Sequence, residues 1–258
     1  MLQDLPPPDV HLSDIPYDTD AGIGARANIG LLVLQTDQTI EDEFRHILPD
    51  GVALYHSRLK SPTEIEPAKL RLMEQEIPGA TELLPRIPFA AVGFGCTSGA
   101  LVIGEPQVAA RVHEVLPGIR VTDPVTAAVA ALKALKAERV ALLTPYLPEI
   151  TASLRDQFQA RGLNIPVTGT FNQPDDYVVA VITPEAIKAA ILELGRSDQV
   201  DAVFVSCTSM RVARIVAEIE TELGKPVTSS NHALAWHMLR QAGISDAMPQ
   251  HGRLFETV

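Results

Sequence analysis

One short motif occurs twice in the chain, and this repeat constrains the fold more than any other feature of the sequence. Residues Ala91–Ser98 follow the pattern A-V-x-x-x-C-T-S, and residues Ala202–Ser209 follow it again 111 positions later. The apolar stretches Ile29–Leu32 and Val140–Leu143 form a second, weaker pair with the same separation of 111 residues. A constant separation indicates an internal duplication, so we predict two related halves that each carry one cysteine.

Runs of β-branched and aliphatic residues alternate with stretches of helical character along most of the chain. Strands are predicted at Ile29–Gln35, Val52–His56, Phe89–Gly95, Arg139–Thr144, Tyr177–Ile182 and Val200–Ser206. Helices are predicted at Glu41–Leu48, Ala100–Val115, Val125–Lys136, Ile150–Arg161, Pro184–Gly195, Met210–Leu223 and Ala233–Ala242. The alternation predicts an α/β fold of two pseudo-symmetric αβα subdomains with parallel sheets. The active site is expected in the cleft between them, at the carboxyl ends of the strands.

The domain boundaries follow from the repeat and from the composition of the first residues. Residues 1–27 are rich in proline and lack an apolar period, so we expect an extended arm that lies on the surface or on a partner subunit. Residues 28–122 form the first predicted half, and residues 123–227 form the second. Residues 228–258 are assigned to the first half, because the last helix is expected to pack back on it.

Charge and cysteine content exclude several classes of partner. The formal net charge is −11 without a local basic stripe, which argues against nucleic acid and against membrane surfaces. No apolar run approaches the roughly 20 residues of a membrane-spanning helix, and the acidic, proline-rich start does not resemble a signal peptide. We therefore expect a cytoplasmic protein. Two cysteines in 258 residues cannot build a disulfide framework, so both are expected to remain thiols.

Each cysteine is expected to end a strand and to open a helix, where unpaired backbone N–H groups and the helix dipole lower a thiol pKa. The residues that follow Cys96 and Cys207 add hydroxyl groups suited to a substrate carboxylate or an enolate oxygen: Thr97, Ser98, Thr208 and Ser209. Two opposed thiols can serve as acid and base on the two faces of a carbon atom. Alternatively, one thiolate can add to an activated double bond, which then rotates before the sulfur leaves.

Other interpretations of the same residues are weaker. A free cysteine is commonly a small buried hydrophobe, and serine or threonine after a strand is an ordinary helix cap. The glycines at 93, 95 and 99 are spaced one residue too widely for a dinucleotide fingerprint. His232 and His237 are five positions apart and therefore lie on different faces of a helix. We expect neither a metal nor an organic cofactor.

The two Cys-Thr-Ser motifs, together with Leu143–Tyr146 between them, resemble the aspartate/glutamate/hydantoin racemase superfamily. The similarity is to its maleate cis–trans isomerase and arylmalonate decarboxylase branch, and it extends over nearly everything after the arm. The resemblance implies a cofactor-independent enzyme that forms a homodimer or homotetramer. It also implies that Cys96 is the nucleophile, Cys207 the second thiol, Tyr146 a hydrogen-bond donor and Asn172 a ligand of a substrate carboxylate.

The chain departs from the isomerase pattern after the first strand. Where the isomerases resemble Ser-Ser-Asn-Thr, this chain has Thr36-Asp37-Gln38-Thr39, which places Asp37 and Gln38 among the predicted substrate-binding residues. An ionised Asp37 would repel a dicarboxylate and would pair with an ammonium or amidinium group. The stretches Thr36–Glu41 and Tyr55–Arg58 are similar to racemase-like proteins found with ectoine and hydroxyectoine utilisation.

These observations predict a two-thiol isomerase or racemase of a small carboxylic acid. Maleate isomerisation and epimerisation of an ectoine-derived amino acid are the leading reactions. An arylmalonate-type decarboxylase is the nearest alternative, although those enzymes resemble this chain only at the second cysteine and have glycine in place of Cys96. A binding protein without catalysis, which holds a small acid in its cleft, is the alternative from another class.

Overall fold

Two parallel sheets of identical strand order form the centre of the fold, which a computed structural model describes for residues 15–61 and 67–257. The strand order is β2-β1-β3-β4 in the first sheet and β6-β5-β7-β8 in the second, and every pairing is parallel. The strands are β1 Ala27–Leu34, β2 Val52–Leu59, β3 Ala91–Gly95, β4 Val121–Thr122, β5 Arg139–Thr144, β6 Asn164–Thr170, β7 Ala202–Val205 and β8 Val227–Ser229. The predicted α/β class with parallel sheets is confirmed.

The two sheets also share their register, as the repeat requires. Ile29 of β1 lies beside Ala91 of β3, and Val140 of β5 lies beside Ala202 of β7. Each residue of the second pair follows its counterpart by the same 111 positions that separate the two motifs. The weak echo between the apolar stretches therefore reflects equivalent positions in two sheets.

Helices connect the strands and cover the sheets. They are α1 Ile40–Ile47, α2 Pro67–Leu72, α3 Ile77–Glu82, α4 Thr97–Ile103, α5 Glu105–His113, α6 Pro124–Ala134, α7 Pro148–Ala160, α8 Asp176–Ala180, α9 Pro184–Gly195, α10 Val216–Leu223 and α11 Ser230–Gln241. Short 3₁₀ turns lie at Met73–Glu76, Pro249–His251 and Arg253–Glu256. No helix in the described part of the chain has the length and apolar character that crossing a membrane requires.

One predicted strand is wrong, and its place in the sheet belongs to a segment that the sequence did not indicate. The run at 177–182 contributes to α8, whose first turn is capped by the Asp175 carboxylate accepting from the Tyr177 N–H. The sixth strand is instead β6, which contains Pro166 among polar residues. Proline is tolerated there because β6 lies at the edge of its sheet.

Two helix boundaries also differ from the prediction. The single helix expected from Ala100 is divided into α4 and α5 at Gly104, whose φ of 94° lies in the region that favours glycine. The helix expected from Met210 begins only at Val216, so a turn, and not a helix, follows Cys207. The second difference bears on the chemistry of Cys207.

Strand β1 of the first sheet is buried on both faces. Along β1, Ile29, Leu31 and Val33 belong to a core with α1, α6 and α11, whereas Leu32 belongs to the larger core that continues through the second sheet. Helix α11 packs against α1 and β3 of the predicted first half and also against α6, which the predicted boundaries assign to the second half. Because the larger core includes residues of both sheets, apolar packing joins the two halves.

The domain boundaries and the arm stay predictions. Strand β8 extends across the predicted boundary between residues 227 and 228 and pairs with β7 of the second sheet. Of the predicted arm, residues 1–14 lie outside the described residues, and residues 15–26 contain neither strand nor helix. Three large apolar side chains of this stretch are exposed: Ile15, Tyr17 and Ile23.

His232 at the start of α11 is expected to make the free energy of unfolding depend on pH. Its ring is fully buried, Nε2 donates to the His251 carbonyl at 2.7 Å, and Nδ1 accepts from the Thr228 hydroxyl at 3.0 Å. Burial lowers its pKa to about 4. The unfolded chain therefore binds a proton at His232 more readily than the folded chain does. The contribution of neutral His232 to stability is complete above about pH 6.5 and is lost as the pH falls toward 4.

We expect about 3 kcal/mol of unfolding free energy to be lost through this group between pH 7 and pH 4. Urea unfolding at several pH values would measure it as the difference between the wild-type protein and His232→Gln. The matched control is His113→Gln, because His113 lies exposed in the first half. A difference that does not change with pH would contradict the assignment.

Candidate active site

Cys96 lies between β3 and α4, where the strand-to-helix turn points its sulfur at backbone donors. Cys96 is the N-cap of α4, and its Sγ accepts a hydrogen bond from the Gly99 N–H at 3.1 Å. The Ser98 hydroxyl lies 3.7 Å from the same sulfur. The turn therefore has the geometry that the sequence predicted, with two donors facing the thiol.

Cys207 follows β7 in a different local structure. The phenolic hydroxyl of Tyr146 and the backbone N–H of Ser209 both donate to its sulfur. The helix that was expected to begin here is absent, because α10 starts nine residues after the cysteine. The prediction of a helix dipole at Cys207 is therefore wrong, and individual donors act in its place.

Burial dominates the acidity of both thiols. It raises the pKa of Cys96 to about 12 and raises the pKa of Cys207 well above its usual value. The donors at each sulfur lower these pKa values only in part, and the carboxylates of Asp176 and Asp37 raise both further. The expected lowering of the thiol pKa is wrong for both residues, because loss of hydration outweighs a few hydrogen bonds.

Ser230 connects the two cysteine turns. Its Oγ accepts from the Cys207 N–H at 3.1 Å and lies 2.8 Å from the Thr97 hydroxyl. Ser230 is the first residue of α11, directly after β8. The one signal of this residue in the sequence is that it follows the end of a strand, as the cysteines do. The two turns therefore meet at one buried hydroxyl.

The other predicted residues divide between buried and exposed positions. Thr97, Thr208 and Ser209 are buried, and Ser98 is partly buried beside Cys96. Tyr146 is buried, and burial together with its contact to the Cys207 sulfur raises the pKa of its hydroxyl well above the usual value. Asn172 is exposed, has φ of 53°, and donates its backbone N–H to Thr170. Gln38 is also exposed.

Two carboxylates lie close enough to act on the thiols. Asp37 is buried at the turn between β1 and α1, and burial raises its pKa to about 6. Asp176 at the start of α8 accepts from the Ser209 hydroxyl at 2.7 Å and from the Thr36 hydroxyl at 3.1 Å. Asp176 is not among the residues predicted from the sequence, because the neighbouring residues have the composition of a strand.

Glu43 of α1 holds the segment after Cys207 through buried hydrogen bonds. Its Oε1 accepts from the N–H groups of Val212 and Ala213, each at 2.7 Å. Its Oε2 accepts from the Asn231 amide at 3.0 Å, and that amide also donates to the Thr208 carbonyl at 2.7 Å. Burial raises the pKa of Glu43 to about 7. Glu43 was not among the residues predicted from the sequence. The spacing of Glu43 from the apolar residues Ile40 and Ile47 would place it on the buried face of α1.

A cleft of about 440 Å³ lies between α4 and α7 and reaches the first cysteine turn at Ser98. Ser98, next to Cys96, and Leu147, next to Tyr146, line it together with Leu101 and Leu154. Most of the lining is apolar. Within the described residues, no group of three or more His, Cys, Asp or Glu side chains could hold a metal ion.

Known proteins share both the sequence pattern and the fold. The sequence model of the arylmalonate decarboxylase family matches residues 105–255. The maleate isomerase of Nocardia farcinica is 29% identical over 238 residues, which cover 88% of this chain and 94% of that protein. The arylmalonate decarboxylase of Bordetella bronchiseptica is 28% identical over 146 residues, which cover 54% of this chain and 59% of that protein.

Among solved structures, a mutant Nocardia farcinica maleate cis–trans isomerase with a covalently bound succinylcysteine intermediate aligns with a TM-score of 0.79. The two sequences are 25% identical, and the alignment covers 89% of this chain and 98% of that chain.

Proposed function

Because the chain belongs to the arylmalonate decarboxylase family, we propose that it is a cofactor-independent isomerase or racemase of a small carboxylic acid, with Cys96 and Cys207 as the reacting groups. The observation that carries the proposal is the pair of thiols in turns joined through Ser230. The maleate isomerases among its relatives support the isomerase assignment. The placement of donors at each sulfur supports two reacting thiols.

A cis–trans isomerisation would use the thiols in sequence. The Cys96 sulfur forms a C–S bond to one alkene carbon, and the π electrons move toward the carboxylate as an enolate. Rotation about the resulting single bond precedes collapse of the enolate, which re-forms the double bond and breaks the C–S bond. Cys207, with Tyr146 donating to its sulfur, would face the neighbouring carbon, protonate the enolate there, and remove a proton from the same carbon again before the C–S bond breaks.

A racemisation would use the same residues without a covalent bond to sulfur. One thiolate removes the proton α to the carboxylate, and the other thiol delivers a proton to the opposite face. Both reactions need a thiolate, although burial disfavours it. The Gly99 N–H and Ser98 hydroxyl at Cys96, and the Tyr146 hydroxyl and Ser209 N–H at Cys207, are the groups that would stabilise it.

The decarboxylase alternative depends on the second half of the chain. The match to the family model begins at residue 105, so it includes Cys207 and leaves out Cys96. Since arylmalonate decarboxylases resemble this chain only at the second cysteine, Cys96 favours a reaction that needs two thiols. A cytoplasmic location, a homodimer or homotetramer, and a substrate from ectoine utilisation remain predictions from the sequence.

The proposal can be tested by NMR in deuterated buffer. The purified protein would be incubated with maleate and with a panel of small chiral carboxylic acids, including amino acids derived from ectoine. We expect either conversion of maleate to fumarate or deuterium incorporation at a substrate α-carbon, and loss of that activity in Cys96→Ala and in Cys207→Ala. Full turnover in both variants would remove the assignment. Binding of an acid without any turnover would favour the binding-protein alternative.

A further inference from the structure

Asp37 has one carboxylate oxygen that local structure does not account for. Its Oδ1 accepts from the N–H groups of Thr39 and Ile40, each at 2.8 Å, which is an ordinary cap at the start of a helix. Its Oδ2 is buried and makes no hydrogen bond of ordinary geometry within the described residues, although the Thr208 hydroxyl lies near enough to lower the pKa of this carboxyl. The residue as a whole is 3% exposed. A buried, unpartnered carboxylate oxygen is costly unless a partner arrives.

Asp123 shows what a satisfied cap of the same kind looks like. Its Oδ1 accepts from the N–H groups of Val125 and Thr126, which lie two and three residues after it in the chain. Oδ1 of Asp37 accepts from the residues at the same two positions after Asp37. Its Oδ2 accepts from the Thr126 hydroxyl at 2.7 Å. Capping therefore explains both oxygens of Asp123 but only one oxygen of Asp37.

Asp176 provides a second carboxylate near the same place. The Ser209 hydroxyl from the second cysteine turn and the Thr36 hydroxyl from the end of β1 hold its two oxygens. Asp37 and Asp176 both raise the pKa values of Cys96 and Cys207, so both carboxylates lie within electrostatic range of both sulfurs. Two negative groups therefore face the centre where the chemistry is proposed.

Arg58 contacts the backbone of Asp37, but its guanidinium group is bound to other acceptors. Arg58 donates to the Asp37 backbone carbonyl at 2.9 Å, and its other guanidinium nitrogen pairs with Glu41 at 2.6 Å. The described side chains offer no metal site here either. A dicarboxylate would bring two more negative charges to this centre, which like-charge repulsion disfavours.

We propose that Asp37 and Asp176 form a cation subsite that receives an ammonium or amidinium group of the substrate, so that the preferred substrate carries one carboxylate and one cationic group. The inference rests on the proposed function, because it deepens the description of the same site. A cationic group would supply the partner that Asp37 Oδ2 lacks. It would also offset the negative field at the thiols while substrate is bound.

Two matched pairs of compounds test the subsite. Maleate is compared with cis-4-aminobut-2-enoate, and aspartate with 2,4-diaminobutyrate, because in each pair an aminomethyl group replaces one carboxylate. Calorimetric titration gives the ratio of dissociation constants, and NMR gives the ratio of kcat/KM. The wild-type protein is expected to favour the cationic member of at least one pair by about 30-fold or more.

Asp37→Asn should keep the cap through its amide oxygen and reduce the preference by at least about tenfold, and Asp176→Asn should act in the same direction. Asp123→Asn is the matched control, and it should leave the preference unchanged. Thermal unfolding checks that each variant is folded.

A wild-type protein that binds the dicarboxylates equally well or better, or that binds neither cationic compound, would overturn the subsite. An unchanged ratio in folded Asp37→Asn would overturn it as well. The binding ratios decide this even if no compound is turned over, whereas absence of turnover bears on the proposed reaction alone.

Discussion

Replacement of Cys207 by serine is expected to lower turnover by at least about 10³-fold, with little change in the fold. Serine is nearly isosteric with cysteine, so the turn after β7 should persist. The hydroxyl, however, is a far weaker acid than a thiol, and it cannot exchange protons with a carbon acid at a useful rate. Rates from NMR, compared with thermal unfolding of the same preparation, separate the chemical effect from a loss of structure.

The same variant should distinguish the two proposed reactions. If Cys96 adds to an alkene, loss of the second thiol should let the adduct accumulate, and intact-protein mass spectrometry should show the mass of one added substrate molecule. The added substrate carries the new C–S bond and one proton from solvent. Cys96→Ser is the matched control and should show no adduct. Adduct formation on Cys96→Ser, or activity near wild type in Cys207→Ser, would contradict the assigned roles.

Removal of the Glu43 carboxylate is expected to cost about 3–5 kcal/mol of unfolding free energy. Glu43→Ala would leave three buried donors without their acceptor, namely the N–H groups of Val212 and Ala213 and the Asn231 amide. These donors belong to the segment after Cys207 and to the start of α11, so α1 would lose its buried polar contacts with both and would keep only the exposed contacts of Asp42 and His46 with Arg214. Urea unfolding at pH 6 would measure the loss.

Glu43→Gln is the informative companion, because it keeps an acceptor but cannot ionise. Burial raises the pKa of Glu43 to about 7, above its value in an unfolded chain. The folded protein therefore binds this proton more tightly, so the stabilisation is complete below about pH 4.5 and is lost as the pH rises through about 7. Wild-type stability should fall relative to Glu43→Gln over that range by about 3 kcal/mol. A difference that grows in the opposite direction would contradict the burial of an ionisable group at this site.

Several elements could be predicted from the sequence because they depend on local composition and on the repeat. The strands that carry the two motifs are short, apolar and bounded by turn residues, and their equivalence followed from one constant separation. Other elements could not be predicted in this way. Strand β6 contains proline and polar residues, which only an edge position permits, and α8 has the β-branched composition of a strand.

The repeat and the pattern of apolar runs were sufficient to predict two related α/β halves with a cysteine after the third strand of each predicted half. The surroundings of those cysteines could not be predicted in this way. Ser230, Asp176 and Glu43 reach the site from distant parts of the chain, and hydrogen bonds between residues so far apart leave no periodic trace. The acidity of the thiols also depends on the tertiary structure, because burial removes their hydration and that loss exceeds the effect of the local hydrogen-bond donors.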